Sequence, residues 1–354
     1  MLEVVLSEKS YEIIIQRHAL KKVAEWIQGL WKEKKIVLIS DENVFPLYGL
    51  QIQKQLENYY DVVKYVVPAN EKSKSLEMAA KLYDFLAKEQ FTRSDGVIAL
   101  GGGVVGDLAG FVASTYMRGI AFVQIPTSLL AQVDSSIGGK TAVNAPAAKN
   151  MIGTFAQPDG VLIDPETLNT LPEKRIQEGI AEVIKCGAIK DESLWDDLMK
   201  FNDVADLLSH SETVIEKALR VKKVVVEEDV FDRGSRLCLN FGHTIGHAIE
   251  QIAGYGQISH GEAVAIGMVQ ISRKAEKRNE MPKGTTAKLC AMNQKYHLPI
   301  FYEPWDEQAL FQAITHDKKN RGKYLKIILL EKIGRAKIQS IPIEMIKDYL
   351  EKGE

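Results

Sequence analysis

Gly96-Val97-Ile98-Ala99-Leu100-Gly101-Gly102-Gly103-Val104-Val105-Gly106-Asp107 runs from a short apolar stretch through a glycine cluster into a helical pattern. A strand that ends in GxGxxG and opens a helix suits a phosphate. The glycines let the backbone approach a pyrophosphate, and the first N–H groups of the helix face its charge. Gly102, Gly103, Val104, Val105, Gly106 and Asp107 are therefore candidate nucleotide contacts. Taken alone, such a turn is as readily a device for tight packing. The acid expected roughly 20 residues later in a dinucleotide fold is missing, because Ile120 to Thr127 stands there. Asp41, at the end of an earlier strand pattern in Ser40-Asp41-Glu42-Asn43, is the candidate ribose partner instead.

On either side of this turn, β-branched runs at 11–15, 35–39, 61–67 and 121–125 alternate with helical patterns up to about residue 170. Such alternation predicts crossover units around a mostly parallel, Rossmann-like sheet. After Leu171-Pro172 the period becomes helical, over 174–190, 209–228, 241–253, 261–275 and 306–315. An exception lies at Lys323 to Ile338, where two apolar runs flank Ile333-Gly334 and predict a hairpin. The expected architecture is an α/β domain over 1–171 and a mainly α-helical domain over 172–354, with the active site in the cleft between them.

A chain of 354 residues, 45% of them hydrophobic, can bury two cores. A net charge of -2 offers no long-range attraction to nucleic acid or an anionic membrane, so neither is expected as a partner. The most apolar window, Gly96 to Ser114, contains six glycines and Asp107, unlike a membrane span. Cys186, Cys238 and Cys290 lack CxxC spacing, and Met1-Leu2-Glu3-Val4 does not read as a secretion signal. A cytoplasmic protein is expected.

Three of the seven histidines, His243, His247 and His260, fall within eighteen residues. One buried histidine is ordinarily a hydrogen-bonded core residue, but three together call for a metal or an anion. His243 and His247, four apart, would share a helix face and make the first choice of ligand pair. Glu182 and Lys185 sit in a setting too apolar for a solvated helix face, and Glu182 could complete a catalytic zinc site. Spacing alone would place Arg236, Asn240, His243 and His247 on one helical stripe that a polyhydroxylated anion could satisfy. Asp134-Ser-Ser-Ile-Gly-Gly-Lys140-Thr imitates the end of a P-loop, but Asp134 replaces its first glycine, which argues against a nucleoside-triphosphate hydrolase.

The stretches 101–111, 114–119, 126–144, 149–153, 181–185 and 239–247 together resemble the 3-dehydroquinate synthases, a family of sugar-phosphate cyclases. The likeness runs from about Asp41 to Gly334. The resemblance implies Glu182, His243 and His260 as ligands of Zn²⁺ or Co²⁺, and assigns His247 to the substrate's phosphate. It implies Asp134, Lys140, Asn150, Lys185, Lys222, Arg236 and Asn240 around the substrate, Arg118 too, across the interface of a homodimer. One of Lys318 and Lys319 would join them.

NAD is implied on Asp41, Asn43, Asn70, Glu71 and Lys74, and on Gly102 to Asp107. Thr127, Ser128, Lys140 and Lys149 would extend that site, as would Thr167, Leu168, Asn169 and Thr170. Two departures from the family pattern are visible. Asn70 replaces a usual glycine, as if a left-handed backbone were needed there, and Asp232 replaces a usual glutamate. The implied reaction converts 3-deoxy-D-arabino-heptulosonate 7-phosphate to 3-dehydroquinate and phosphate. Other sugar-phosphate cyclases, a glycerol-type polyol dehydrogenase and an inactive binding protein are the alternatives.

Overall fold

The computed structural model describes the chain except for residues 8, 33, 146–147, 255–256, 317–322 and 353–354. It forms two compact units, Met1–Leu171 and Pro172–Glu354.

The first unit is built on seven strands: β1 (Leu2–Val5), β2 (Ser10–Ile15), β3 (Lys35–Asp41), β4 (Asp61–Val67), β5 (Gly96–Gly101), β6 (Ala121–Pro126) and, beyond an intervening hairpin, β9 (Gly160–Ile163). They lie in the order β1-β2-β9-β6-β5-β3-β4, parallel except for the β1–β2 pair. The hairpin pairs β7 (Lys140–Ala145) antiparallel with β8 (Ala148–Phe155). Consecutive residues of the central strands are buried on opposite faces, which is why their sequences read as continuous apolar runs. Val37, Ile39, Val97 and Ala99 share one core with residues of α3 (Leu76–Lys88) and α4 (Gly103–Thr115). Ile36, Leu38, Ile98 and Leu100 share the other with α1 (Val23–Leu30) and α2 (Leu50–Leu56).

Asp95 fastens the entry to this sheet. Its carboxylate accepts the N–H of Lys35 at 2.9 Å, the N–H of Thr92 at 2.5 Å and the Thr92 hydroxyl at 2.9 Å. Burial raises its pKa, but these donors outweigh that and hold the carboxyl below its ordinary value. Its contribution to stability is therefore complete above the unfolded carboxylate pKa of about 3.9 and is lost as pH falls through the lower folded value. We expect Asp95→Ala to lower stability by about 2 kcal/mol near neutrality, since it orphans bonds to a charged group. The deficit should shrink in acid. Urea unfolding at neutral pH and near pH 3 checks this, and equal deficits at both would contradict it.

The second unit is mainly helical: α5 (Glu173–Ile189), α6 (Glu192–Lys200), α7 (Val204–Ser209), α8 (Ser211–Glu228), α9 (His243–Ala253), α10 (His260–Lys277), α11 (Thr285–Lys295), α12 (Glu307–His316) and α13 (Ile346–Leu350). The expected hairpin is present as β10 (Tyr324–Lys332) and β11 (Arg335–Pro342), turning at Gly334 with φ 82°. Helix α10 is the hub and packs against α5, α9, α11 and α13. Its residues from Gly261 to Ser272 are buried apart from Glu262.

Two sequence expectations fail here. The stripe 236-240-243-247 is not one helix, because Ser235–Asn240 is a 3-10 turn and Gly242, at φ 81°, separates it from α9. Asn70 is extended, with φ -153°, so no left-handed backbone explains its replacing a glycine.

Candidate metal centre and nucleotide site

Three helices bring the histidines and Glu182 together by touching backbone to backbone. A Cβ on Gly267 of α10 would lie 2.0 Å from the Gly242 carbonyl oxygen, just before α9. One on Gly261 would lie 2.4 Å from the carbonyl oxygen of Glu178, a turn before Glu182 on α5. His243 is the first residue of α9, and His260 is the first of α10. A capping box fixes the latter, the Ser259 hydroxyl accepting the Glu262 N–H at 3.3 Å and the Glu262 carboxylate accepting the Ser259 N–H at 2.8 Å.

The Nε2 atoms of His243 and His260 lie 3.6 Å and 3.8 Å from Oε1 of Glu182. That oxygen is buried and has no hydrogen-bond partner, which is costly for a carboxylate unless a cation meets it. The other oxygen accepts from Nζ of Lys185, one turn along α5, and both side chains are almost fully buried. His247 stands beside this group, its ring centroid 5.3 Å from that of His243 and 5.7 Å from that of His260, but it is exposed. One ligand atom from each of the three histidines can be chosen so that all lie within 4.8 Å.

Ligands about 2 Å from a tetrahedral zinc are about 3.3 Å apart, so each of the two imidazole nitrogens needs to approach the Glu182 oxygen by only a few tenths of an ångström. The residues fit a divalent ion. Burial, then Lys185 and the two neighbouring imidazoles, hold the His243 pKa well below its ordinary value, so this ring is neutral, as a ligand must be.

Arg236 reaches the same unit from the 3-10 turn and is almost fully buried, donating from Nη1 to the Val230 carbonyl at 2.7 Å. Its turn is braced by Asp229, a residue the sequence did not single out. The Asp229 carboxylate accepts the N–H groups of Arg233, Gly234 and Arg236 at 3.0, 2.6 and 3.2 Å. Burial raises the pKa of that carboxyl, yet these three donors and the Arg236 charge bring it below the ordinary value. Lys222 is buried on α8, Asn240 is half-buried and closes the 3-10 turn, and Asp232 has a left-handed φ of 57°. Lys318 and Lys319 lie outside the described residues.

In the first unit the candidate nucleotide residues follow the carboxyl ends of parallel strands: Asp41 closes β3, Glu71 and Lys74 follow β4, Gly102 to Asp107 follow β5, Thr127 and Ser128 follow β6, and Thr167 to Thr170 follow β9. That edge is where open α/β sheets bind ligands. Gly102 caps α4, and a Cβ on Gly102 or Gly103 would close to 3.3 Å and 3.2 Å on the hydroxyls of Ser128 and Ser135. This cradle fits a phosphate group.

Not every predicted side chain points outward. Val105 and Leu168 are core residues, so only their backbones could meet a ligand. Asp41 accepts the N–H groups of Asn43 and Val44, both at 2.9 Å, through one carboxylate oxygen. Asn169 donates to Glu166 at 2.8 Å, and Thr170 shares a hydrogen bond with Tyr48. Asn70 caps the 3-10 turn that carries Glu71.

Lys74 joins two of the predicted groups, donating from Nζ to Asp107 and to Asn150. Asn144, part of the stretch 126–144 but assigned no role there, ties them further: it donates to Glu71 at 2.8 Å and accepts the Asn150 N–H at 3.0 Å. Asn150, at φ 56°, and Arg118, at φ 69°, both have left-handed backbones, and both are exposed, as is Lys140. Lys149 and Asp134 are half-buried. Lys140 opens a strand rather than a helix, so the P-loop likeness has no counterpart in the structure.

Residues 64–178 match the family model described as 3-dehydroquinate synthase N-terminal, and residues 179–320 match that described as 3-dehydroquinate synthase C-terminal. The chain is similar to the 3-dehydroquinate synthase of Enterococcus faecalis, 57% identical over 350 residues that cover 99% of this chain and 98% of the relative. Among solved structures it is similar to a 2-deoxy-scyllo-inosose synthase complexed with carbaglucose-6-phosphate, NAD+ and Co2+, with a TM-score of 0.89, 26% identity and 100% of both chains covered. It is also similar to the 2-epi-5-epi-valiolone synthase of Streptomyces hygroscopicus with NAD+ and Zn2+ bound, with a TM-score of 0.87, 28% identity and 98% and 97% covered. Among the described residues no helix is long and apolar enough to cross a membrane.

Proposed function

The chain belongs to the 3-dehydroquinate synthase family, and from that membership we infer that it converts 3-deoxy-D-arabino-heptulosonate 7-phosphate to 3-dehydroquinate and phosphate in the shikimate pathway. Within the site, the observation that supports this most directly is the buried, unpartnered Oε1 of Glu182 facing the Nε2 atoms of His243 and His260.

Glu182, His243 and His260 would hold zinc or cobalt, and the β5–α4 turn with Asp41 would hold NAD. When bound, the metal supplies acidification of substrate hydroxyls, and NAD supplies reversible uptake of a hydride. The chain's own residues do the rest. Arg236 and Lys222, both buried cations, bind the substrate carboxylate, with the Asp229 brace holding the turn that carries Arg236 and the Val230 carbonyl accepting from its guanidinium. His247 and Lys185 carry the charge of the phosphate as it leaves, with Lys140, Asn150 and Arg118 adding positive and polar groups. Asp134 and Asn240 orient ring hydroxyls. Fixing the intermediate in this way is what the closing aldol step needs, since it gains mainly from geometry.

Assembly as a homodimer belongs to the same reading. A cytoplasmic setting does too.

The test is incubation with the heptulosonate phosphate, zinc and an amount of NAD far below the substrate. We expect one phosphate released per substrate consumed and no accumulation of NADH. Accumulation of NADH without phosphate release would identify a polyol dehydrogenase and refute the assignment.

A further inference from the structure

We propose that Glu250 is a positioning residue of the metal centre, fixing through His260 which imidazole nitrogen meets the ion; this rests on the reading of Glu182, His243 and His260 as its ligands. Glu250 is buried on α9, two turns beyond His243 and next to the buried Ala248 and Ile249. A buried carboxylate is retained where it has a partner that needs it. Its Oε2 lies 3.0 Å from Nδ1 of His260, while Nε2 of the same ring faces Glu182. A carboxylate can only accept, so Nδ1 carries a proton and Nε2 is the nitrogen left to offer a lone pair to an ion.

His243 is set in the same sense by a different acceptor, its Nδ1 lying 3.2 Å from the Phe241 carbonyl oxygen. One helix therefore supplies a ligand at its first residue and orients the ligand of the next helix two turns later. The carboxylate also makes the His260 ring a stronger electron donor than the carbonyl makes His243.

The zinc-loaded protein tests this by competition with a chelator, reading the concentration that removes half the metal. We expect that concentration to fall about 100-fold for Glu250→Ala and about 10-fold for Glu250→Gln, which keeps an acceptor but loses the charge. Long-range proton–nitrogen NMR of the zinc-loaded wild type should find the His260 proton on Nδ1, a readout that general loosening of the fold would not supply. If Glu250→Ala does not fold, Glu250→Gln and the NMR measurement still decide. Metal retention within twofold of wild type in the folded variants, while His260→Ala loses zinc, would overturn the role of Glu250 alone, as would a proton on Nε2. Retention in His260→Ala as well would overturn the ligand assignment and this inference with it.

Discussion

His260→Ala should lose zinc and turnover together. The substitution leaves Glu182 and His243 as a two-point site, with the buried Oε1 of Glu182 facing a gap. Metal content should drop from one per chain to a small fraction. Phosphate release should fall by about 10³-fold or more, because a catalytic ion supplies several kcal/mol of barrier reduction and each 1.36 kcal/mol is a factor of ten. His247→Ala is the necessary contrast: its ring stands in the same cluster but is exposed, and the variant should keep its zinc while losing activity. Metal analysis beside a phosphate assay checks both. A folded His260→Ala protein with stoichiometric zinc and full rate would remove that residue from the ligand set, and loss of zinc from His247→Ala would put His247 into it.

The second large effect is expected at Lys74. Its side chain and that of Asp107 are 7% and 17% exposed, so Lys74→Met leaves a mostly buried carboxylate without its cation. Burial already raises the Asp107 pKa, Lys74 opposes that rise, and Glu71 and Asp134 add to it. Breaking a buried pair from one side costs about 3–5 kcal/mol, and the remaining exposure of Asp107 points to about 3 kcal/mol. Without Lys74 the folded-state pKa climbs further above its unfolded value. A group of that kind penalises folding most when ionised, so the deficit should be largest at neutral pH and shrink as pH falls. Adding Asp107→Asn should recover more than half of it. Urea unfolding of the single and double variants across pH tests the claim, and a deficit that grows in acid would be incompatible with it.

Much of the fold can be read from local sequence. The central strands, buried on both faces, write themselves as unbroken apolar runs, and the glycine cluster after β5 marks the turn into α4. The short strands β1 and β9 have four residues each and offer too little pattern. The β7–β8 hairpin is hidden because Gly138-Gly139-Lys140 imitates a phosphate loop.

The proposed metal site is less legible because helical spacing is a rule about one helix. It favours His243 with His247, whereas Glu182 and His260 reach His243 from α5 and α10, a fact of packing that no spacing encodes. The break at Gly242 defeats the same rule for Arg236 and Asn240. Glu250 left only a faint trace, a carboxylate after Ala248-Ile249 and before Gln251, weaker than the apolar setting that drew attention to Glu182. Asp229 left none, and Asn144 stood in the stretch 126–144 without a role, since their work is done on backbone amides and loop neighbours.

The bare contacts at Gly242, Gly261 and Gly267 separate importance from chemistry in this protein. An added methyl group at residue 267 would meet the main chain of α9 and could be relieved only by parting the two helices that carry His243 and His260. Mutational mapping of zinc retention would thus light up residues with no donor atom, no charge and no reach toward substrate, a sensitivity imposed by the spacing of the scaffold alone.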